Sequence, residues 1–231
     1  MKALKKLSAL LLALGLVAGF AACGGNDGEQ SASQNGGDSV TSETSAPTEL
    51  VGEEVTEEQM NAAIQTLYTA TNFTMVGTMT QKVNGSEVET SITANYADGK
   101  AYVVMVSTQN GVAKTRYSYL GQEEGVWYMW NSTDNEIWDK MECDLEEGEV
   151  PTSGEYVFEE IFQWCNFTYS SYKPALGMYE FLNFGCPTVT VMVSGGKIVK
   201  YIYEDPEAED FRNGTITYGN ATVGELPKET E

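Results

Sequence analysis

Four dipeptides, Asn84-Gly85, Asp98-Gly99, Asn110-Gly111 and Gly195-Gly196, each stand between two runs of alternating apolar and polar residues. Asn-Gly, Asp-Gly and Gly-Gly tolerate φ > 0 at two successive positions, which the type I′ turn of a two-residue hairpin requires. Three of them follow one another at 84, 98 and 110, so the chain is committed there to an antiparallel meander. Expected strands are 73–82, 87–96, 100–108 and 112–120, then 126–131 and 136–141 after a loop at 121–125. Beyond residue 165 the alternation resumes at 166–173, 178–184, 187–194, 197–204 and 211–218, giving about eleven strands.

Two segments break the period of two. Thr56 and Gln59 have capping-box spacing, Val55 and Met60 occupy staple positions, and Glu57 and Glu58 suit the positive end of a helix dipole. Met60, Ala63, Ile64, Leu67 and Ala70 then recur at helical spacing, so a helix of about 56–71 presents one apolar stripe. A second stripe, Val157, Phe158, Ile161, Phe162 and Cys165, predicts a helix over 155–165. A sheet of eleven strands curls rather than staying flat. Two helices are too few to fill its concave side. The expected fold class is therefore α+β: a long curved antiparallel β-meander, a half-barrel of about eleven strands, with two helices on its concave side and apolar space between them.

The N-terminus has a different character. Lys2, Lys5 and Lys6 precede an apolar run from Leu7 to Phe20, which fits a secretory signal and is short of the roughly 20 apolar residues of a membrane span. Phe20-Ala21-Ala22-Cys23 resembles a bacterial lipobox, with Phe20 standing where leucine is usual. The resemblance implies a signal peptide over 1–22, acylation of Cys23, and anchoring at the outer face of the plasma membrane, most simply of a Gram-positive bacterium. An ordinary cleavable signal and a short membrane anchor are the alternatives. Two or three acyl chains anchor stably where one does not. Residues 24–54 carry seven carboxylates, no basic residue and few large apolar ones, so 23–54 is expected to be a disordered tether. As a coil its reach is roughly 30 Å. Residues 55–231 remain for one domain.

Composition excludes several kinds of function. Net charge is −21, and removal of 1–22 deepens it by three lysines. Such a field repels nucleic acid and anionic headgroups, so no nucleic acid is expected as a partner. The chain has no histidine, which rules out a Ser-His-Asp triad, a Cys-His pair and the usual zinc sites. Carboxylate-only chemistry survives. The acidic runs Glu142–Glu149 and Glu204–Asp210 read more simply as solvated loops, and neither fits a calcium-binding loop. No phosphate-binding glycine motif or G-x-S-x-G is present. No catalytic residue, metal or cofactor is therefore assigned. Asn72, Asn84, Asn131, Asn166, Asn213 and Asn220 each begin an Asn-x-Ser/Thr triplet, read here as turn and strand chemistry.

The layout resembles the LolA/LppX superfamily of lipid and lipoprotein carriers. Three stretches carry the resemblance: Asn72-Phe73-Thr74 after the first helix, VSGGKI at Val193–Ile198, and the closing FRNGTITYGNATVGELP, Phe211–Pro227. It implies a monomer that holds a lipid or other apolar ligand between sheet and helices. Trp127, Trp130, Trp138, Phe158, Phe162 and Trp164 are the candidate lining residues, against core packing or surface stacking. A non-catalytic recognition subunit for a protein partner or wall polymer is the alternative. With Cys23 acylated, one thiol among Cys143, Cys165 and Cys186 must stay free. A hairpin centred between Ala175 and Leu176 would oppose Cys165 and Cys186, the expected disulfide, and leave Cys143 free.

Overall fold

The computed structural model describes residues 51–145, 149–162, 170–181 and 188–228. At all four turn dipeptides both residues have φ > 0, from 51° at Asn84 to 80° at Gly85. Each turn therefore fixes a register outright, closing the pairs Val83↔Ser86, Ala97↔Lys100, Gln109↔Val112 and Ser194↔Lys197. A fifth turn of this kind, Glu124-Gly125 with φ of 51° and 86°, closes Glu123↔Val126. The strand expected to end at Leu120 thus continues to Glu123, and most of the expected 121–125 loop is strand. Glutamate carries no turn signature, so the sequence gives no warning of a left-handed residue there.

The strands are β1 (Phe73–Val83), β2 (Ser86–Ala97), β3 (Lys100–Gln109), β4 (Val112–Glu123), β5 (Val126–Ser132), β6 (Asp139–Glu142), β7 (Ser170–Lys173), β8 (Met178–Phe181), β9 (Thr188–Ser194), β10 (Lys197–Asp205) and β11 (Asp210–Tyr218). They form one open antiparallel sheet in the order β6-β5-β4-β3-β2-β1-β11-β10-β9-β8-β7. One meander runs outward from β1 to β6. The chain then crosses to the opposite edge and returns from β7 to β11. The seam between these wings is β1 against β11, from Phe73↔Tyr218 to Gln81↔Asp210. Two stretches that carried the family resemblance, Asn72-Phe73-Thr74 and Phe211–Pro227, meet along that seam. The result is the α+β half-barrel expected from the turn pattern.

β6 begins three residues later than expected because the preceding segment is a tight turn. Asp134 accepts hydrogen bonds from the backbone N–H groups of Ile137 (3.0 Å) and Glu136 (2.9 Å) and from the Ser132 hydroxyl (2.8 Å). Those donors, Ile137 first, hold its carboxyl down at about 2. A carboxyl with a depressed folded-state pKa stabilises fully above its unfolded value, about 3.9. The contribution disappears as pH falls through 2. Asp134 is therefore expected to titrate near pH 2 by carboxyl NMR, with the amide shifts of Glu136 and Ile137 following the same midpoint; titration near 4 would contradict the turn.

The helices are α1 (Glu57–Tyr68) and α2 (Gly154–Phe162). The capping box forms: Gln59 N–H donates to Thr56 Oγ1 at 3.3 Å, and Thr56 N–H to Gln59 Oε1 at 2.8 Å. Just before it, Tyr179 clamps the backbone of Val55, accepting from its N–H (2.6 Å) and donating to its carbonyl (2.7 Å). Met60, Ala63, Ile64 and Leu67 are buried, and α1 lies against β10 and α2. The helix ends at Tyr68, short of the expected 71.

The fold reaches ahead of the expected boundary at 54/55. Glu53 N–H donates to Val193 O (2.9 Å), and its carboxylate accepts from Gly195 N–H (2.8 Å). Gly52 passes so close to Gly177 that a Cβ on it would lie 1.8 Å from the Gly177 carbonyl oxygen. At the other end Asn72 exchanges hydrogen bonds with both backbone groups of Ala221, at 2.9 and 3.0 Å. That pair ties the segment after β11 to the end of α1.

β7 and β8 pair as Ser170↔Phe181 through Lys173↔Met178, the register of a hairpin centred between Ala175 and Leu176. Cys165 and Cys186, which that register would oppose if continued, lie outside the described residues, as do Cys23, Trp164 and the remainder of both expected strands. Cys143 carries a free thiol. It packs half-buried against the core. Burial, and secondarily the charge of Glu142, push its pKa up to about 11, so it is neutral and unreactive near pH 7.

Candidate functional site

Alternation along each strand assigns every sheet residue to one of two faces, and the face that receives the helices is read in rows across the strands. The first row is Tyr218, Phe73, Tyr96, Ala101, Leu120 and Met129, each opposite the next. Phe73 and Tyr96 stack with centroids 4.4 Å apart. This row forms one cluster with Met60, Ile64 and Leu67 of α1 and Val157 of α2. The same cluster takes in Val189, Val191 and Val193 of β9 and Tyr179 and Phe181 of β8.

The cover is uneven along the sheet, with Met105, Met79 and Thr90 still buried in the third and fourth rows. The second row includes Ile216, Met75, Ala94 and Val103, and the third runs Tyr201, Gly214, Gly77, Ile92, Met105 and Arg116. Met75, Ile92, Tyr201 and Tyr203 pack against the core but are only half-buried. The two glycines in the third row have a steric cause. A Cβ on Gly77 would lie 2.3 Å from the Asn213 carbonyl oxygen, and one on Gly214 would lie 2.6 Å from Cε1 of Tyr201. The seam strands approach too closely at 77 for a side chain, and the Tyr201 ring occupies the place of one at 214. Between Met75, Met79 and Ile92 the concave face thus has a floor of bare backbone, bordered by apolar and aromatic side chains.

The fourth row turns polar: Tyr203, Arg212, Met79, Thr90, Ser107 and Lys114. Arg212 Nε donates to both carboxylate oxygens of Asp210 at 3.0 Å, and its Nη2 also donates to Oδ2. Gln81 Nε2 reaches the same oxygen at 3.1 Å. The guanidinium lies 4.9 Å from the centre of the Tyr203 ring. Burial works against the charge of Arg212, but the hydrogen bond and the charge of Asp210 outweigh it and hold its pKa above the ordinary value. Thr90 and Ser107 share a hydroxyl hydrogen bond of 2.9 Å.

These groups offer binding chemistry more than proton chemistry. Burial pushes the Tyr201 hydroxyl up to about 12 and raises those of Tyr96 and Tyr218 further, so all three are neutral donors at pH 7. Among the described residues no three His, Cys, Asp or Glu side chains gather as metal ligands.

The sheet divides the six aromatic residues expected to line a pocket. Trp127 shares the parity of Met129 and lies half-buried on the concave side. Phe158 sits on α2 with its ring edge-on to Tyr68 of α1, centroids 6.0 Å apart. Trp130, one residue from Met129, points to the convex face, where it is fully buried. There it lies opposite Tyr119 and Lys140. Trp138 joins it on that face, packed on Tyr119 with centroids 5.2 Å apart. Trp130 and Trp138 therefore do not line the space beneath the helices. Phe162 closes α2, and its side chain lies outside the described residues, as does Trp164. Gly77, Gly214, Arg212 and Arg116 were not singled out from the sequence, although glycine inside a strand signals close backbone approach. Asp210, read there as the end of a solvated acidic loop, is instead buried at the start of β11 and paired with Arg212.

No protein-family model matches the chain, and no curated protein matches its sequence. Among solved structures, it is similar to a DUF1329 family protein from Desulfovibrio piger, at 8% identity and a TM-score of 0.32, over 72% of this chain and 94% of the other.

Proposed function

We propose that this protein is an extracytoplasmic, lipid-anchored binding protein that holds a lipid or other apolar ligand on the concave face of its sheet, without catalysis. The observation that carries the reading is the half-buried apolar band of Met75, Ile92, Tyr201 and Tyr203 around the glycine floor. Apolar surface left at the border of a core is a recurring ground for ligand binding. Methionine suits such a surface because its unbranched, polarisable side chain adapts to irregular shapes. The resemblance to the LolA/LppX carriers points the same way, and the lipobox-like Phe20-Ala21-Ala22-Cys23 supplies the anchor.

The test uses the mature chain 23–231 carrying Cys23→Ala. Native mass spectrometry should show an apolar adduct removable by organic solvent, or the chain should bind a fluorescent fatty acid saturably at one to one. In the bacterium, labelled palmitate should enter the wild-type chain and not the Cys23→Ala chain. An empty chain that binds no fatty acid overturns the carrier reading, and palmitate incorporation independent of Cys23 overturns the anchor.

A second reading, a recognition module for a wall polymer or protein, draws on the convex face. Tyr102, Tyr119 and Trp138 form a line of ring contacts there, with centroids 4.5 and 5.2 Å apart. An empty chain retained on isolated cell wall would favour it.

A further inference from the structure

Resting on the binding reading above, we infer that the ligand is an anionic amphiphile whose headgroup is held by Arg116, at the β4 end of the glycine-floored row. Both faces of the sheet carry charges of both signs: Asp139, Asp205 and Asp210 lie on the concave side, and Lys82, Lys100, Lys140, Lys173 and Lys200 on the convex side. The five strand glutamates Glu87, Glu89, Glu123, Glu180 and Glu204 fall on the convex side by alternation, and the cations Lys114, Arg116 and Arg212 on the concave side. A chain with a net charge of −21 has carboxylates to spare. Three convex lysines use them, Lys82 with Glu209, Lys140 with Glu123 and Lys173 with Glu180, while Lys100 and Lys200 on the same side make no ion pair among the described residues.

Arg116 differs. It is half-buried, and among the described residues it makes no hydrogen bond, ion pair or ring contact. The residue facing it on β3 is the buried Met105, which in turn faces Ile92 and then Gly77. On its other side β5 pairs only from Tyr117↔Ser132 onward, so no strand flanks Arg116 there. A guanidinium partly withdrawn from water without an acceptor is costly. It is also the group best suited to bind carboxylate or phosphate through two parallel hydrogen bonds. Arg212, across the groove, is already committed to Asp210, which leaves Arg116 as the cation able to take a new anion. An alkyl chain laid over Met105, Ile92 and the Gly77 floor would carry an anionic head at its β4 end to the guanidinium. Neighbouring strands lie about 4.8 Å apart, so this path is roughly the length of a medium alkyl chain.

Calorimetry on the mature Cys23→Ala chain tests this with three probes below micellar concentration: dodecyl phosphate, dodecyl maltoside and inorganic phosphate. The wild-type residue at 116 should give dodecyl phosphate about a tenfold advantage over the maltoside, the scale of a charge-assisted hydrogen bond. Arg116→Gln should abolish the advantage while leaving maltoside affinity unchanged, and Arg116→Lys should restore part of it. Inorganic phosphate should not bind measurably. Equal affinity for the two amphiphiles overturns the headgroup assignment while the apolar site stands. Phosphate binding as tight as that of dodecyl phosphate overturns it in favour of a free-anion site. Binding of neither amphiphile overturns both this assignment and the apolar site.

Discussion

Gly77→Ala is expected to lower the free energy of unfolding by about 3 kcal/mol, a large effect for one methyl group. The added Cβ would lie 2.3 Å from the Asn213 carbonyl oxygen and 3.0 Å from Gly214 Cα. Both are backbone atoms, so no side-chain rotation relieves the clash and the strands must part. They are the seam strands, β1 and β11, the one pairing that joins the meander β1–β6 to the meander β7–β11. Urea unfolding should show a lower midpoint with an unchanged slope. Thr78→Ala, next to it and exposed on the convex side, loses only the 2.7 Å hydrogen bond that the Asn213 side-chain amide donates to its hydroxyl and should cost about 1 kcal/mol or less. A Gly77→Ala protein as stable as the Thr78→Ala protein would show that the seam yields at no cost and that the bare floor of the groove is not sterically required.

What could be read in the sequence was local. The hairpins were legible because a two-residue turn such as Asn84-Gly85 fixes both the direction and the register of the strands it joins. The capping box at Thr56 and Gln59 was legible for the same reason. Glu124-Gly125 was not, since nothing in glutamate's chemistry favours φ > 0. The seam was also hidden. Phe73 and Tyr218 are far apart in sequence, and no turn encodes their pairing, only the mutual burial it permits.

The candidate site was the least legible part. Five of seven residues in β5 are apolar, and the aromatic ones fall on both faces. Their abundance therefore suggested one pocket where alternation places Trp127 and Trp130 on opposite sides. The groove depends instead on residues with little or no apolar signal. Gly77 and Gly214 act by lacking a side chain, and Arg116 is distinguished from the other concave cations, Lys114 and Arg212, only by having no partner. Neither property exists before the strands are in register.

The junction of the two helices supplies the other large expected effect. Gly154 begins α2 directly under the end of α1: its N–H donates to the Ala70 carbonyl at 2.8 Å, and a Cβ on it would lie 1.8 Å from the Leu67 carbonyl oxygen. Ala70 lies two residues past the end of α1, so this hydrogen bond ties the first residue of α2 to the chain leaving α1. Tyr68 completes the junction, donating its hydroxyl to Glu155 and packing its ring against Phe158. Gly154→Ala must push α2 away from α1, and no side chain can move to prevent it. Val157, 1% exposed in the core beneath α2, would then meet water. Loss of about 3 kcal/mol locally corresponds to roughly a hundredfold faster amide exchange. That acceleration is expected across 154–162, together with binding of a hydrophobic dye. The β1–β2 amides should keep their protection, because their pairing does not depend on the helix. Unchanged exchange in α2 would mean that the junction does not hold the helix. Loss of protection throughout the sheet would mean that α2 is part of the folding core itself, not a cover laid over the groove.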